Sequence, residues 1–154
     1  MIKILFVCHG NICRSPMAEY LMRYMLKQKD INYVITASAA TSAEEIGNHV
    51  HRGTAAILRS LGIDPSDKTS RQMTKRDYKE YDLLIGMDTA NILNMTKIVG
   101  ADTENKIFRL LDFTDEKGDI SDPWYTGDFQ QTYFDVERGC KGLIENIING
   151  KIAK

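Results

Sequence analysis

Ile2 to Val7 near the start of the chain is an apolar run broken by one lysine, and it ends abruptly at Cys8 and Gly10. A run of that length without polar alternation suits a strand buried on both faces, as in a parallel sheet. The residues after Gly10 narrow the fold further. Pro16 sits well in a first helical turn with Ser15 as N-cap, and Met17, Leu21, Tyr24 and Met25 recur at helical spacing. Buried strand, tight loop and helix together open a βαβ unit.

The alternation continues. Tyr33 to Ser38 reads as a second strand, and a helix runs from about Gly53 to Leu61, stopped by Gly62 and Pro65. A third strand lies within Tyr81 to Met87, Asp88 caps a helix over Thr89 to Val99, and Lys106 to Leu110 gives a short fourth strand. Phe129, Tyr133, Val136, Cys140, Leu143 and Ile147 lay one apolar face along a closing helix. The pattern predicts an α/β three-layer sandwich with a central, mostly four-stranded parallel sheet and a ligand-binding loop after the first strand. One domain over residues 1–154 accommodates it, since a chain of that length buries roughly 70% of its unfolded surface. The segment between the fourth strand and the last helix, LLDFTDEKGDISDPWYTGD, is irregular and long enough to suggest function.

Composition removes several function classes. The net charge is −1, with 20 basic residues scattered among 21 acidic ones, so no basic stripe marks a nucleic acid or an anionic membrane surface as partner. No apolar run is long enough to span a bilayer or to serve as a signal peptide, which makes the cytoplasm the expected location. The odd number of cysteines, three, fits thiols better than a disulfide framework.

One of those thiols stands where ligands bind in open α/β sheets, beyond the carboxyl end of a strand. Cys8-His9-Gly10-Asn11-Ile12-Cys13-Arg14-Ser15 joins the first strand to the first helix. Backbone N–H groups and the helix dipole make that junction an anion site, and the same field favours a thiolate at Cys8. Arg14 adds a fixed guanidinium fork matched to two phosphate oxygens. A cysteine followed at this spacing by Arg and then Ser or Thr is expected by chance about 0.02 times in a chain of this composition.

Cys8 to Ser15 with Pro16, and the distant Asp122-Pro123-Trp124-Tyr125, resemble the signature loop and the general-acid loop of the low-molecular-weight protein tyrosine phosphatase family. Ser38 in TASAAT, SRQMTKRDY at Ser70 to Tyr78, and Met87-Asp88 come in the family's order. The resemblance implies a phosphatase for phosphotyrosine proteins or small aryl phosphates, with inorganic phosphate as product, no cofactor, no metal, and a monomer as the working unit. It makes Cys8 the nucleophile, Arg14 the phosphate clamp and Asp122 the general acid and base. Ser15 would hydrogen-bond the Cys8 sulfur, and Asn11 and Ser38 would hold the loop in its unusual shape. Cys13 would trap an oxidised nucleophile as a reversible disulfide. His9, Gly10, Ile12, Trp124 and Tyr125 would meet the substrate, the last two as an aromatic wall.

Several features pull elsewhere. His9, His49 and His51 with the cysteines invite a metal reading, but their spacing matches no zinc pattern. Asp88 reads first as a helix cap. Lys68 stands where many family members carry histidine, which puts support of the loop from that side in doubt. An arsenate reductase on the same fold would need two further cysteines near the third strand, and Leu83 to Asn94 has none. A phosphotyrosine-binding module without turnover would not need Cys8, Arg14 and Asp122 together, and a sulfur-transfer protein would not need Asp122.

Overall fold

The computed structural model describes residues 1–152. Strand β1 (Ile2–Cys8) leads into helix α1 (Arg14–Gln28), followed by β2 (Val34–Ala40), α2 (Arg52–Ser60), a one-turn helix α3 (Asp77–Glu80), β3 (Leu83–Gly86), α4 (Thr89–Val99) and β4 (Ile107–Arg109). A 3-10 turn at Leu110–Phe113, a short helix α5 (Pro123–Thr126) and the long α6 (Phe129–Ile148) come next. The described strands form a four-stranded parallel sheet in the order β2, β1, β3, β4. β1 pairs with β2 on one side, Cys8 opposite Ala40, and with β3 on the other. Strand order therefore reverses at β1, and the crevice this creates opens beyond Cys8.

The unbroken apolar character of β1 reflects its two covered faces. Ile2, Ile4 and Phe6 enter a core with Met17, Leu21 and Met22 of α1 and Val136, Cys140 and Leu143 of α6. Leu5 and Val7 enter a second core with Met73, Tyr78, Met95 and Val99. Alternate residues of one strand thus fasten both helical layers to the sheet.

Local signals placed the elements to within a residue or two and missed two of them. β2 begins one residue later than the sequence suggests and runs on to Ala40, and α2 starts at Arg52, while β4 is shorter at both ends. The one-turn helices α3 and α5 carry too few residues for a periodic pattern. Asp88 does cap α4, in a reciprocal capping box with Asn91. Ser15 does not cap α1: the helix starts at Arg14, and the flanking Cys13 makes no side-chain cap bond. Its hydroxyl is bound instead to Cys8 and Asn11.

α6 lies against the 3-10 turn through glycines. A Cβ at Gly142 would fall well inside contact distance of the Phe113 carbonyl, which is backbone and cannot rotate away. In an open helix Gly→Ala gains about 1 kcal/mol. Gly142→Ala is expected instead to lose about 1–3 kcal/mol in urea unfolding, the usual cost of overpacking. A variant as stable as the parent would contradict this close approach.

Candidate active site

The loop between β1 and α1 is wound with its carbonyl oxygens facing away from its centre. Cys8 O accepts from Thr41 N at 2.9 Å, His9 O from Ser42 N at 3.1 Å, and Ile12 O from His51 N at 2.8 Å. Gly10 O accepts from Ser70 Oγ at 2.9 Å and Cys13 O from Thr54 Oγ1 at 3.0 Å. The described chain has no cis peptide bond. A planar trans peptide points its N–H opposite to its C=O. Fixing these carbonyls outward therefore turns the amides of His9, Gly10, Asn11, Cys13 and Arg14 toward the centre. The Asn11 amide meets the Cys8 sulfur there at 3.3 Å, joined by the Ser15 amide at 3.4 Å. Asn11 takes the left-handed conformation this winding needs, with φ of 58°, which Asn tolerates better than most residues.

Side chains behind the loop fix its polar groups. Asn11 Nδ2 donates to Ser15 Oγ at 2.7 Å and to Ser38 Oγ at 2.9 Å. With a lone pair so occupied, the Ser15 hydroxyl can direct its hydrogen to Cys8 Sγ at 3.0 Å; the competing Ala39 carbonyl lies farther away at 3.5 Å. Ser38 Oγ donates to Glu19 Oε1 at 2.5 Å, and Arg23 donates to the other oxygen of Glu19 at 2.6 Å. Lys68 Nζ donates to the Ser38 carbonyl at 2.9 Å and lies 3.9 Å from Glu19. Burial is the chief influence on Lys68 and lowers its pKa, while Glu19 works in the opposite direction. Lys68 thus bonds directly to β2 at Ser38, the residue whose hydroxyl meets Asn11. The sequence reading did not single out Glu19; an acidic residue amid the apolar positions of α1 was the available signal.

Arg14 is 2% exposed and lies between two carboxylates. Its Nη1 donates to Asp88 Oδ2 at 2.7 Å and to the Ile120 carbonyl at 2.8 Å, and its Nη2 lies 3.4 Å from Asp122 Oδ2. Desolvation opposes its charge, but the Cys8 sulfur, Asp88 and Asp122 outweigh burial and hold its pKa above the ordinary value. Asp88 therefore has two partners, since its other oxygen accepts from Asn91 N at 2.8 Å. The cap reading accounted for only one of them. Ile120 pins the irregular segment to the sheet: its N–H donates to Met87 O at 2.9 Å while its carbonyl receives Arg14. Two residues on, Asp122 Oδ1 accepts from Trp124 N at 3.0 Å as the cap of α5.

One cavity of about 100 Å³ is lined by Cys8, His9, Gly10, Ile12, Cys13, Arg14, Asp122, Trp124 and Tyr125. Asn11, Ser15 and Ser38 stand behind it. Trp124 and Tyr125 are 57% and 83% exposed, which puts them at the rim. Glu44 and Glu45 also line the mouth and had no sequence signal; Glu44 meets His9 Nε2 at 3.1 Å. Burial, then the Cys8 charge, push the Cys13 thiol up to about 12, so this second sulfur stays protonated at neutral pH. Cys140 is fully buried in the core. Among the described residues, no group of three or more His, Cys, Asp and Glu side chains is arranged to hold a metal ion. No helix among them is long and apolar enough to cross a membrane. The arrangement can surround a tetrahedral oxyanion with amides and one guanidinium while a sulfur faces its centre.

Comparison with known proteins agrees with this geometry. The family model described as low molecular weight phosphotyrosine protein phosphatase matches residues 3–152. The low molecular weight protein-tyrosine-phosphatase YfkJ of Bacillus subtilis is 39% identical over 150 residues, which cover 96% of each chain. A Staphylococcus saprophyticus relative, the low molecular weight protein-tyrosine-phosphatase PtpA, is 38% identical over 149 residues, 96% of this chain and 95% of that one. The crystal structure of YfkJ superposes with a TM-score of 0.94 at 38% identity, covering 98% of this chain and 97% of the other.

The bond from Lys68 to the Ser38 carbonyl is open to direct test. Lys68→Met is expected to cost about 1–3 kcal/mol in urea unfolding, because a shielded acceptor loses its partner. Lys97→Met, at an exposed site of α4, is expected within about 0.5 kcal/mol of the parent. Equal effects of the two would show that Lys68 does not brace the loop.

Proposed function

The chain belongs to the low molecular weight phosphotyrosine protein phosphatase family, and on that premise we propose that Cys8 is its nucleophile, Arg14 its phosphate clamp and Asp122 its general acid and base. The observation that carries the assignment is the convergence on one cavity of a sulfur accepting from Ser15 Oγ and two amides, a buried guanidinium, and a carboxylate from more than a hundred residues away.

A phosphotyrosine side chain enters past Trp124 and Tyr125, and its phosphoryl oxygens take the loop amides and the Arg14 fork. Cys8 attacks phosphorus in line with the leaving oxygen. A P–S bond forms as the P–O bond breaks, and Asp122 passes its proton to the departing phenolate. Asp122, now a carboxylate, takes a proton from the water that attacks phosphorus next. The P–S bond then breaks, inorganic phosphate leaves, and the Cys8 thiolate returns to the hydrogen bond of Ser15. Charge on the equatorial oxygens is met throughout by Arg14 and the fixed amides, so the chemistry calls for no metal. The depth of the cavity below the aromatic rim favours phosphotyrosine over the shorter phosphoserine.

The reading extends to residues 1–154 as one domain, working as a monomer in the cytoplasm on phosphotyrosine proteins or small aryl phosphates. Cys13 lines the same cavity as Cys8, which supports a protective role for it. If peroxide converts the Cys8 thiolate to a sulfenic acid, the Cys13 thiol can condense with it to a disulfide, releasing water. Arsenate reduction by a cysteine relay is disfavoured because Cys140 is sealed in the core.

Hydrolysis of para-nitrophenyl phosphate in EDTA tests the assignment. Activity is expected to be unaffected by chelation, abolished in Cys8→Ser, and reduced in turnover by a factor of about 10² to 10⁴ in Asp122→Ala. Activity that disappears with EDTA or persists in Cys8→Ser would overturn it.

A further inference from the structure

We propose that His51 is a positioning residue for Asp122, acting through the aromatic side chains that hold the acid-bearing turn. The proposal rests on Asp122 being the general acid.

Asp122 stands at the N-cap of α5, a single turn that Gly127 redirects into α6 through a left-handed conformation with φ of 72°. So short a helix has few bonds of its own to fix its orientation. Its rings at Trp124 and Tyr125 face largely outward. The ring of His51 meets this turn on both flanks. It stacks on Phe129, the first residue of α6, with centroids 4.9 Å apart and planes 17° from parallel. It meets Trp124 edge to face, with centroids 5.8 Å apart and an interplanar angle of 81°.

The ring is itself held from below. His51 caps α2, its Nδ1 accepting from Gly53 N at 3.0 Å, which places the proton of the neutral imidazole on Nε2. Its main-chain N–H donates to Ile12 O at 2.8 Å, inside the phosphate loop. Gly53 makes room for the stack, because a Cβ there would stand 2.7 Å from the Phe129 ring. The phosphate loop, through the His51 main chain, and the start of α2, Trp124 and Phe129, through its ring, therefore meet at one residue. Aromatic contacts of this kind are directional, and a displacement of about 1 Å in a reacting group can cost 10²-fold in rate. His51 thereby sets the distance between Asp122 and the oxygen it must protonate.

A positioning role leaves a signature that general destabilisation does not. Proton donation matters most for a poor leaving group, so kcat/KM across aryl phosphates of falling phenol acidity reports how well the acid is placed. In His51→Ala we expect kcat/KM to fall about 10- to 100-fold for phenyl phosphate and little for an aryl phosphate with a strongly acidic phenol. Inhibition by inorganic phosphate should stay as in the parent, because the loop is intact. His51→Phe keeps the stacking ring without the Nδ1 acceptor and should restore a flat leaving-group dependence, whereas His51→Asn keeps the cap without the ring and should not. Trp124 is the single tryptophan of the chain, so its fluorescence anisotropy should fall in His51→Asn and recover in His51→Phe. Equal losses across the series, or rescue by Asn and not by Phe, would overturn the proposal. The Asn and Phe variants decide it even if His51→Ala does not fold. Asp122→Ala, run alongside, should show the steep dependence. If it does while the His51 variants stay flat, only the role of His51 falls; if Asp122→Ala is itself flat, the acid assignment falls and the positioning role with it.

Discussion

Five carbonyl oxygens of the loop after β1 are tied to groups outside it, and the chemistry of the molecule depends on that constraint. Left to itself, a loop of mixed orientation would offer a phosphate both donors and acceptors. Binding Cys8, His9, Gly10, Ile12 and Cys13 oxygens outward leaves N–H groups as the loop's inner surface. The partners come from the ends of β2 and α2 and from the segment before α3, so the parallel sheet and its crossovers place the ring that holds the loop. Site and scaffold are in this sense one hydrogen-bonded object. Asn11 in its left-handed conformation is the point where the winding reverses.

A second constraint is electrostatic. A guanidinium as buried as Arg14 is costly unless acceptors face it, and Asp88, Ile120 O and Asp122 accept three of its five N–H groups. This arrangement draws the segment that carries Asp122 onto the loop after β1. The carboxylates of Asp88 and Asp122 also hold the fork in the wall of the cavity that Cys8 lines. Behind the sulfur, the chain from Ser15 through Asn11 and Ser38 to Glu19 and Lys68 leaves no polar side-chain atom unpaired among the buried, described residues. Preorganised donors of this kind do not have to reorient as charge develops.

Much of this was legible in the sequence, and the reasons differ by residue. β1, α1 and α6 were readable because burial of one or both faces writes a period into the apolar residues. Cys8, Arg14 and Ser15 were readable because they lie within eight consecutive positions. Asp122 was chemically ambiguous by itself, an Asp before Pro that also caps a turn, and it gained meaning only through its resemblance to the acid loop. Ser15 was misplaced as a cap because a serine before proline satisfies that rule locally, whereas the sulfur that claims its hydroxyl is set by the fold. Glu19, Lys68, the second partner of Asp88 and the rings around His51 were hidden for the same reason. Each depends on a neighbour 19 to 78 positions away, and neither propensity nor spacing encodes such pairs.

The central claim is that turnover passes through phosphate bonded to the Cys8 sulfur. Rapid denaturing quench during steady hydrolysis of an aryl phosphate, with phosphorus NMR and peptide mapping of the quenched protein, tests it most directly. The account predicts a thiophosphate resonance that maps to the peptide containing Cys8 and is absent from Cys8→Ser. Phosphate found on another residue, or no covalent adduct during sustained turnover, would contradict it.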